Sequence, residues 1–161
     1  MDIARRKAVL AAMQFLDTFS FKDGVENYSA VFDIDDTLID SYTKNVIEPV
    51  LELYQYCINI GMPVFIITAR DIKYQGFTER QLIKKGIRGY ERMYMIDYKR
   101  IMNENVGLKF EDVMNKRGYI KSRYRLDIRD SYKYHVLLNV GDDDKDFEGD
   151  IFEVGVKLPH Y

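Results

Sequence analysis

The sequence contains a single cysteine, Cys57, and no apolar run long enough to span a membrane. One cysteine cannot form an intramolecular disulfide, and its apolar neighbours predict a buried thiol. Neither sign of charge dominates, since 24 lysine and arginine residues accompany 26 aspartate and glutamate residues. The pI near 5.7 gives no general attraction to nucleic acids or anionic membranes. A membrane partner is therefore not expected, and a nucleic-acid partner is not favoured.

No internal repeat, low-complexity tract or proline-rich linker divides the 161 residues. This length predicts one domain over residues 1–161, with an N-terminal helix in 1–20 and a core in 28–158. Basic residues at 5–7 and the apolar run after them resemble the start of a secretory signal. Gln14 and Asp17 interrupt that run, and no small-x-small cleavage site precedes Phe21. An amphipathic helix and a cytoplasmic protein are therefore the favoured interpretation.

Strand-like and helix-like segments alternate along the chain. Buried-strand patterns occur at 29–34, up to 68, at 92–96, from 136 and at 152–158. Helical patterns occur at 48–60, at 78–85 and at 112–130, the last with a break near Gly118. Such alternation implies right-handed crossovers and a parallel sheet that is covered on both faces. The sequence thus predicts a three-layer, Rossmann-like α/β fold.

Two carboxylates, those of Asp33 and Asp35, stand two residues apart where the first strand should end. Alternate side chains of an extended chain point to the same face, so both can serve one site. Aspartate is depleted in strands, which makes a purely structural role hard to explain. One carboxylate could attack a substrate while the other handles a proton. Open α/β sheets also bind their ligands at the carboxyl ends of parallel strands.

The segment D-I-D-D-T-L-I-D-S at 33–41 resembles the first motif of the haloacid dehalogenase (HAD) superfamily, and is most similar to its acid phosphatase branch. P-V-F-I-I-T-A-R at 63–70 resembles the second motif of that superfamily. V-L-L-N-V-G-D-D-D-K-D-F at 136–147 is similar to the acid phosphatase form of the last motif. Lys121 lies upstream of that strand, about where the family keeps a phosphate-binding lysine. The resemblance extends over residues 28–158.

The resemblance implies a phosphatase and assigns a role to each matching residue. Asp33 would attack phosphorus and form an aspartyl-phosphate, and Asp35 would act as general acid and then as general base. Thr68 and Lys121 would bind the phosphoryl oxygens. Asp33, the Asp35 carbonyl and Asp142 would bind Mg²⁺.

Asp146 would hold a water on that metal or orient the loop. A cation is needed because a carboxylate and a phosphate repel each other by about 1 kcal/mol per charge pair at 4 Å in water, and roughly 4 kcal/mol at an effective dielectric near 20. Hard oxygen ligands suit Mg²⁺.

Two features of the chain also have other interpretations. The acidic residues at 142, 144, 146 and 153 match the spacing of a calcium-binding loop, but Phe147 stands where that loop needs glycine. The basic and aromatic stretch at 116–134 could follow a polynucleotide or stack a nucleobase. A solvated helix face with tyrosines beneath it is the alternative for this stretch, and it is favoured.

Spacing between the motifs leaves no room for a full cap domain, so the fold is expected to be essentially capless and its site open. A neighbouring subunit of a homo-oligomer could still cover it. We therefore expect a magnesium-dependent phosphomonoester hydrolase. Alternatives are a nucleotide or polynucleotide phosphatase, a phosphoprotein phosphatase, or a storage or interaction protein without turnover.

Overall fold

Five short apolar runs form one parallel sheet in the computed structural model, which describes residues 2–161. Neighbouring strands are parallel and lie in the order β3-β2-β1-β4-β5. Their bounds are Tyr28–Phe32 for β1, Val64–Asp71 for β2, Arg92–Ile96 for β3, His135–Gly141 for β4 and Val154–Lys157 for β5. The predicted α/β fold with a central parallel sheet is confirmed.

Helices connect the strands and cover the sheet. Asp2 caps the first helix, since its carboxylate accepts the Arg5 amide at 3.1 Å, and Pro49 lies in the first turn of the second. Gly61 follows the second helix with φ at 84°, a left-handed conformation that glycine adopts without strain. The bounds are Ile3–Thr18 for α1, Glu48–Asn59 for α2, Gln75–Lys84 for α3, Tyr98–Glu104 for α4, Phe110–Asn115 for α5 and Arg117–Ser131 for α6.

The side chains of β1 alternate between the two faces of the sheet. Ala30 and Phe32 belong to the larger apolar cluster, which includes Leu53 of α2 and the buried residues of α1. Val31 points the other way and belongs to a cluster with Ile128 of α6. Because both faces are covered, all five residues of β1 are buried. The helices and the sheet thus form three layers.

The carboxyl end of β1 lies at the point where the order of the strands reverses. From β1 the chain proceeds outward through β2 and β3, and it later returns to the other side of β1 as β4 and β5. Phe32, the last residue of β1, is level with Ile66 of β2 and Val140 of β4. Such a switch point leaves a crevice outside the strand ends, where α/β proteins bind ligands.

The connection between β1 and α2 contains no cap domain. Residues 33–47, all of which the structure describes, form a loop with two isolated β-bridges, in which Ile39 pairs with Asp35 and Val46. The prediction that this segment is too short for a cap is confirmed.

Three local predictions differ from the structure. Strand β2 continues past Thr68 to Asp71, and α4 was not predicted. Helix α4 is short, and it forms because Asp97 caps it and Tyr98 is buried, a tertiary contact that propensity does not report. The helix break lies at Lys116 rather than near Gly118, which falls inside the first turn of α6.

The prediction of a solvated helix face for the basic stretch at 116–134 holds for only part of that stretch. Lys121 and Arg125 are buried, at 5% and 1% exposure, whereas Arg123 is exposed. The Arg125 Nη2 atom donates to the Glu148 carbonyl at 2.7 Å, and burial lowers the pKa of Arg125 to about 10. The solvated-face interpretation was therefore wrong for Arg125, because charge alone does not show which face of α6 meets the core, whereas Lys121 lies in the site that the family resemblance assigns to it.

Two further observations concern predictions made from composition. Cys57 is fully buried, and this burial raises the pKa of its thiol to about 12, as expected for an inert core cysteine. None of the helices formed by residues 2–161 combines the length and the apolar character needed to cross a membrane.

The burial of Arg125 generates a prediction on stability. Arg125→Ala should lower the free energy of unfolding by roughly 2 kcal/mol or more, because it leaves a cavity and frees the Glu148 carbonyl. Arg123→Ala, two positions away and exposed, should change it by less than about 0.5 kcal/mol. Urea denaturation of both variants measures the difference. Equal stability of the two variants would show that Arg125 does not support the fold.

Candidate active site

The candidate site begins where the chain leaves β1. The Asp33 amide donates to the Val140 carbonyl at 3.1 Å, which holds Asp33 beside β4 just beyond the strand. The Ile34 carbonyl then accepts the amides of residues 37–39 at 2.9–3.1 Å and closes a tight turn. Within this turn Asp36 has a φ of 59°, a left-handed conformation that aspartate tolerates. Its carboxylate accepts the Ser41 amide and hydroxyl, both at 2.9 Å.

A buried lysine and three buried aspartates form the centre of the site. Lys121 of α6 places its Nζ atom 3.1 Å from Asp33 Oδ1 and 2.5 Å from Asp146 Oδ1. Asp142 follows β4 directly, and Asp33, Asp142 and Asp146 offer carboxylate oxygens that lie within 4.8 Å of one another. Four of the residues predicted to form the site are therefore brought together from distant parts of the sequence.

Burial dominates the electrostatics of this cluster. Loss of hydration raises the pKa of Asp33 to about 8; Lys121 opposes this shift, and Asp146 and Asp142 reinforce it. Burial by itself would lower the pKa of Lys121, but its attraction to Asp33 and Asp146 outweighs that effect and raises the pKa above its usual value. The lysine is therefore charged at neutral pH. When Asp33 is ionised, three carboxylates surround one ammonium, and the cluster then favours a further positive charge.

The loop after β4 fixes Asp146. The Asp146 Oδ2 atom accepts the Asp143 amide at 3.2 Å, and the Asp146 carbonyl accepts the Asn139 side-chain amide at 2.8 Å. The Asp146 carboxylate also lies close to Gly141, where an added Cβ atom would be 2.3 Å from Asp146 Oδ2. Position 141 therefore needs glycine so that the loop can fold back onto β4.

Two residues outside the predicted set contact the buried carboxylates. The Thr37 hydroxyl lies 3.4 Å from both Asp33 Oδ2 and Asp142 Oδ1, so it bridges the ends of β1 and β4. His160 Nδ1 lies 2.5 Å from Asp142 Oδ2. The hydrogen bond and the charge of Asp142 raise the pKa of His160.

Asp35 has a different environment from Asp33. Arg70 forms a bidentate contact with it, with Nε 3.0 Å from Asp35 Oδ2 and Nη2 2.8 Å from Asp35 Oδ1. The Arg70 Nη1 atom in turn donates to Gln81 Oε1 at 2.7 Å and to the Thr78 hydroxyl at 3.3 Å. The Asp35 side chain is 43% exposed, against 11% for Asp33. The two carboxylates therefore lie in a solvated and a buried setting, respectively.

Thr68 is buried inside β2, and its neighbour Ala69 lines the site. The Thr68 hydroxyl oxygen accepts the Arg70 amide at 3.2 Å, which leaves the hydroxyl hydrogen free to donate. The structure gives Thr68 no direct contact with Asp33 or Lys121 among the hydrogen bonds of residues 2–161.

A cavity of about 170 Å³ lies at the carboxyl end of β1, and five of the predicted site residues line it: Asp33, Asp35, Lys121, Asp142 and Asp146. Thr68, the sixth predicted site residue, does not line the cavity. Asp144, the third position of the alternative calcium loop, lies outside it, with a side chain that is 99% exposed. The lining residues that were not predicted are Asp36, Ala69, Arg117, Asp143, Lys145 and His160.

The model of HAD superfamily subfamily IIIB, the acid phosphatases, matches residues 42–159. The chain belongs to this family. It is therefore an HAD-type phosphatase, a hydrolase of phosphomonoesters, which confirms the predicted resemblance and enzyme class. The match begins after Asp33 and Asp35, so the assignment of those two residues rests on their own motif and on their position at the end of β1.

Solved structures show the same fold. The class C acid phosphatase from Bacillus anthracis aligns with a TM-score of 0.67 and 16% identity, over 99% of this chain and 77% of that chain. A chain of the Pnkp1/Rnl/Hen1 RNA repair complex aligns at 0.54 and 20%, over 87% of this chain and 46% of that one. A second structure of the Pnkp1/Rnl/Hen1 complex gives 0.58 and 19%, over 89% and 50%. No curated protein sequence matches the chain.

The unpredicted members of the site differ in the signal that the sequence carries for them. Thr37 and Arg70 lie inside the motifs at 33–41 and 63–70, so the sequence carries a signal for both. His160 and Arg117 stand in no motif, and only the tertiary structure brings them to the cavity.

The raised pKa of Asp33 predicts that ionisation of this buried carboxyl group lowers the free energy of unfolding. Between pH 4 and pH 8 the folded protein keeps a proton on Asp33 that the unfolded chain has released, so the contribution of Asp33 to stability falls as pH rises through this window. In chelator, Asp33→Asn should therefore melt higher than wild type at pH 8, by roughly 2–4 °C or more. The advantage should shrink toward pH 5. Asp144→Asn, an exposed control, should show no such trend, and a constant difference for Asp33→Asn would contradict the burial of an ionised carboxylate.

Proposed function

We propose that this phosphatase is magnesium-dependent and acts through an aspartyl-phosphate on Asp33. The observation that supports this most directly is the convergence of the buried residues Asp33, Lys121 and Asp142 in one cavity at the carboxyl end of β1. A carboxylate nucleophile, a fixed cation and a carboxylate suited to a metal are the groups that phosphoryl transfer needs. Residues 28–158 would form the catalytic core of the domain.

The donor set fits a hard divalent cation. Asp33 and Asp142 are buried and offer carboxylate oxygens within 4.8 Å of each other, and burial makes their uncompensated charge costly. These two residues, together with the Asp35 carbonyl that the family resemblance assigns, would hold Mg²⁺. When bound, the ion would neutralise charge on the phosphate and orient it toward Asp33.

The chemistry divides between the two aspartates according to their environments. The Asp33 carboxylate attacks phosphorus, the bond to the leaving oxygen breaks, and Asp35 gives that oxygen a proton. Asp35 then takes a proton from water as the water attacks the aspartyl-phosphate, which releases phosphate and restores Asp33. Both Asp35 oxygens accept hydrogen bonds from Arg70, so Asp35 must release one of them to act. Its partial exposure gives it space to turn.

Lys121 and Thr68 would bind the phosphoryl oxygens. The Lys121 ammonium already lies 3.1 Å from Asp33, so a phosphate approaching Asp33 also approaches this charge. Asp146 holds the lysine from the other side and keeps it directed into the cavity. The free hydroxyl hydrogen of Thr68 could complete the phosphate site.

The open, capless site suits large or varied phosphomonoesters. A structural neighbour comes from an RNA repair complex, which makes a phosphorylated polynucleotide an alternative substrate. The basic stretch supports that alternative less than its sequence suggests. Lys121 and Arg125 are buried, so only the remaining cations of the stretch could contact the phosphates of a nucleic-acid strand. We therefore favour a small or varied substrate.

The nucleophile assignment is tested by Asp33→Asn. This change should lower Mg²⁺-dependent phosphate release from an aryl phosphate by roughly a thousandfold or more, because an amide cannot form the intermediate. Steady-state kinetics give the rate, and circular dichroism checks the fold. The control Asp144→Asn should keep wild-type turnover. Substantial turnover by a folded Asp33→Asn would remove Asp33 from its role.

The metal assignment is tested by a pair of changes in the loop after β4. Asp142→Asn should raise the Mg²⁺ concentration for half-maximal activity at least about tenfold. Loss of a residue that only orients a metal ligand already lowers metal affinity by about that factor, and loss of the ligand itself should lower it no less. Asp144→Asn should leave it unchanged, because Asp144 points into solvent. Titration of activity with Mg²⁺ measures both. A greater effect at Asp144 would favour the calcium-loop interpretation instead.

A further inference from the structure

A second cavity, of about 390 Å³, adjoins the cavity at the carboxyl end of β1, and Asp35 lines both. One wall is Lys44, from the loop after β1, and the floor is the ion pair between Asp35 and Arg70. The opposite wall comes from the turn after β2 and from the first turns of α3. We refer to this cavity as the α3 cleft.

Two aromatic rings in the α3 cleft are exposed, and the only cation over either of them within residues 2–161 is Lys73, whose Nζ atom lies 5.1 Å from the centre of the Tyr74 ring. Tyr74 is 54% exposed and Phe77 is 58% exposed, and neither belongs to an apolar cluster of residues 2–161. Their positions, together with Thr78 and Gln81, follow the three- and four-residue spacing of one helix face. Thr78 and Gln81 both accept hydrogen bonds from Arg70 at the floor of the cleft. The same helix face is therefore polar at the floor and aromatic at the rim.

The position of Asp35 connects this cleft to catalysis. In the proposed function Asp35 protonates the leaving oxygen, so the rest of the leaving alcohol must extend from a point beside Asp35. The cavity at the carboxyl end of β1 is small and lined mainly by charged groups, which makes it unsuitable for the organic part of the leaving alcohol. The α3 cleft is the adjoining cavity that also has Asp35 in its wall.

We propose that the α3 cleft binds the leaving group, and that it selects phosphomonoesters whose alcohol carries a flat aromatic ring. This inference rests on the proposed function. The charge of Arg70 is neutralised by Asp35, so the floor of the cleft does not require an anionic ligand. Tyr74 and Phe77 offer ring faces and edges, which favour an aromatic partner over an aliphatic one.

The cleft also continues along α3. A neighbouring cavity of about 540 Å³ shares Phe77 and Gln81 with it and extends to Arg80, Ile83 and Lys84. A leaving group longer than one ring therefore has a surface to follow, in agreement with an open, capless site.

The proposal is tested with two substrates whose leaving alcohols have similar acidity, 2-phenylethyl phosphate and n-propyl phosphate. Wild type should have a kcat/KM for the aromatic ester several-fold higher. Phe77→Ala and Tyr74→Ala should each reduce that preference by roughly threefold to tenfold, the range expected for loss of one aromatic contact. Tyr119→Ala is the matched control, because Tyr119 is 59% exposed but lies outside the cleft, and it should keep the preference.

Binding separates this proposal from the proposed mechanism. Calorimetry of both esters with folded Asp33→Asn should show tighter binding of 2-phenylethyl phosphate, lost with the added change Phe77→Ala, even if the mechanism on Asp33 is wrong. Equal affinity for the two esters would overturn the proposal. So would an unaltered preference in Phe77→Ala and Tyr74→Ala. Conversion of a dimer to a monomer by those changes, with preference unaltered, would instead assign this face to contact between copies of the chain.

Discussion

The Lys121 ammonium between Asp33 and Asp146 is the interaction on which the site depends. Three carboxylates could not be buried together at the end of β1 without a cation, because desolvation and mutual repulsion both oppose their ionised forms. The lysine is held from α6, whose own position is fixed by Ile128 in the core. This one contact therefore depends on the order of the strands, on the packing of α6 and on the fold of the loop after β4.

That contact also distinguishes the two aspartates of the first motif. Asp33 lies at the buried end of β1 beside the lysine, while Asp35 lies beyond a tight turn and pairs with Arg70 near solvent. Two identical side chains two residues apart thus acquire different neighbours and different exposure. A nucleophile benefits from a dry, fixed position, and a group that exchanges protons with water benefits from access to it. The α3 cleft adjoins Asp35, the proposed acid and base, rather than Asp33, the proposed nucleophile.

Stability and function oppose each other at this centre. The core around β1 is apolar on both faces, yet it ends in a cluster of charges that the fold must hold without full compensation. Gly141 shows how close the packing is, since any side chain there would collide with Asp146. A cation at the cluster would relieve this electrostatic cost, so the metal binding proposed above would also stabilise the fold.

The sequence by itself determined the alternation of strands and helices, the parallel sheet, the family and the aspartates at the ends of β1 and β4. These follow from local patterns, because a buried parallel strand is a continuous apolar run and the polar residues after it must lie at the sheet edge. Tertiary structure decided the rest. Arg125 looks like a surface cation in a basic stretch, and only the packing of α6 shows that it is buried. His160 reaches Asp142 from the end of the chain, and Arg70 selects Asp35 rather than Asp33, because contacts between distant segments depend on how the layers pack and leave no periodic signal in the sequence.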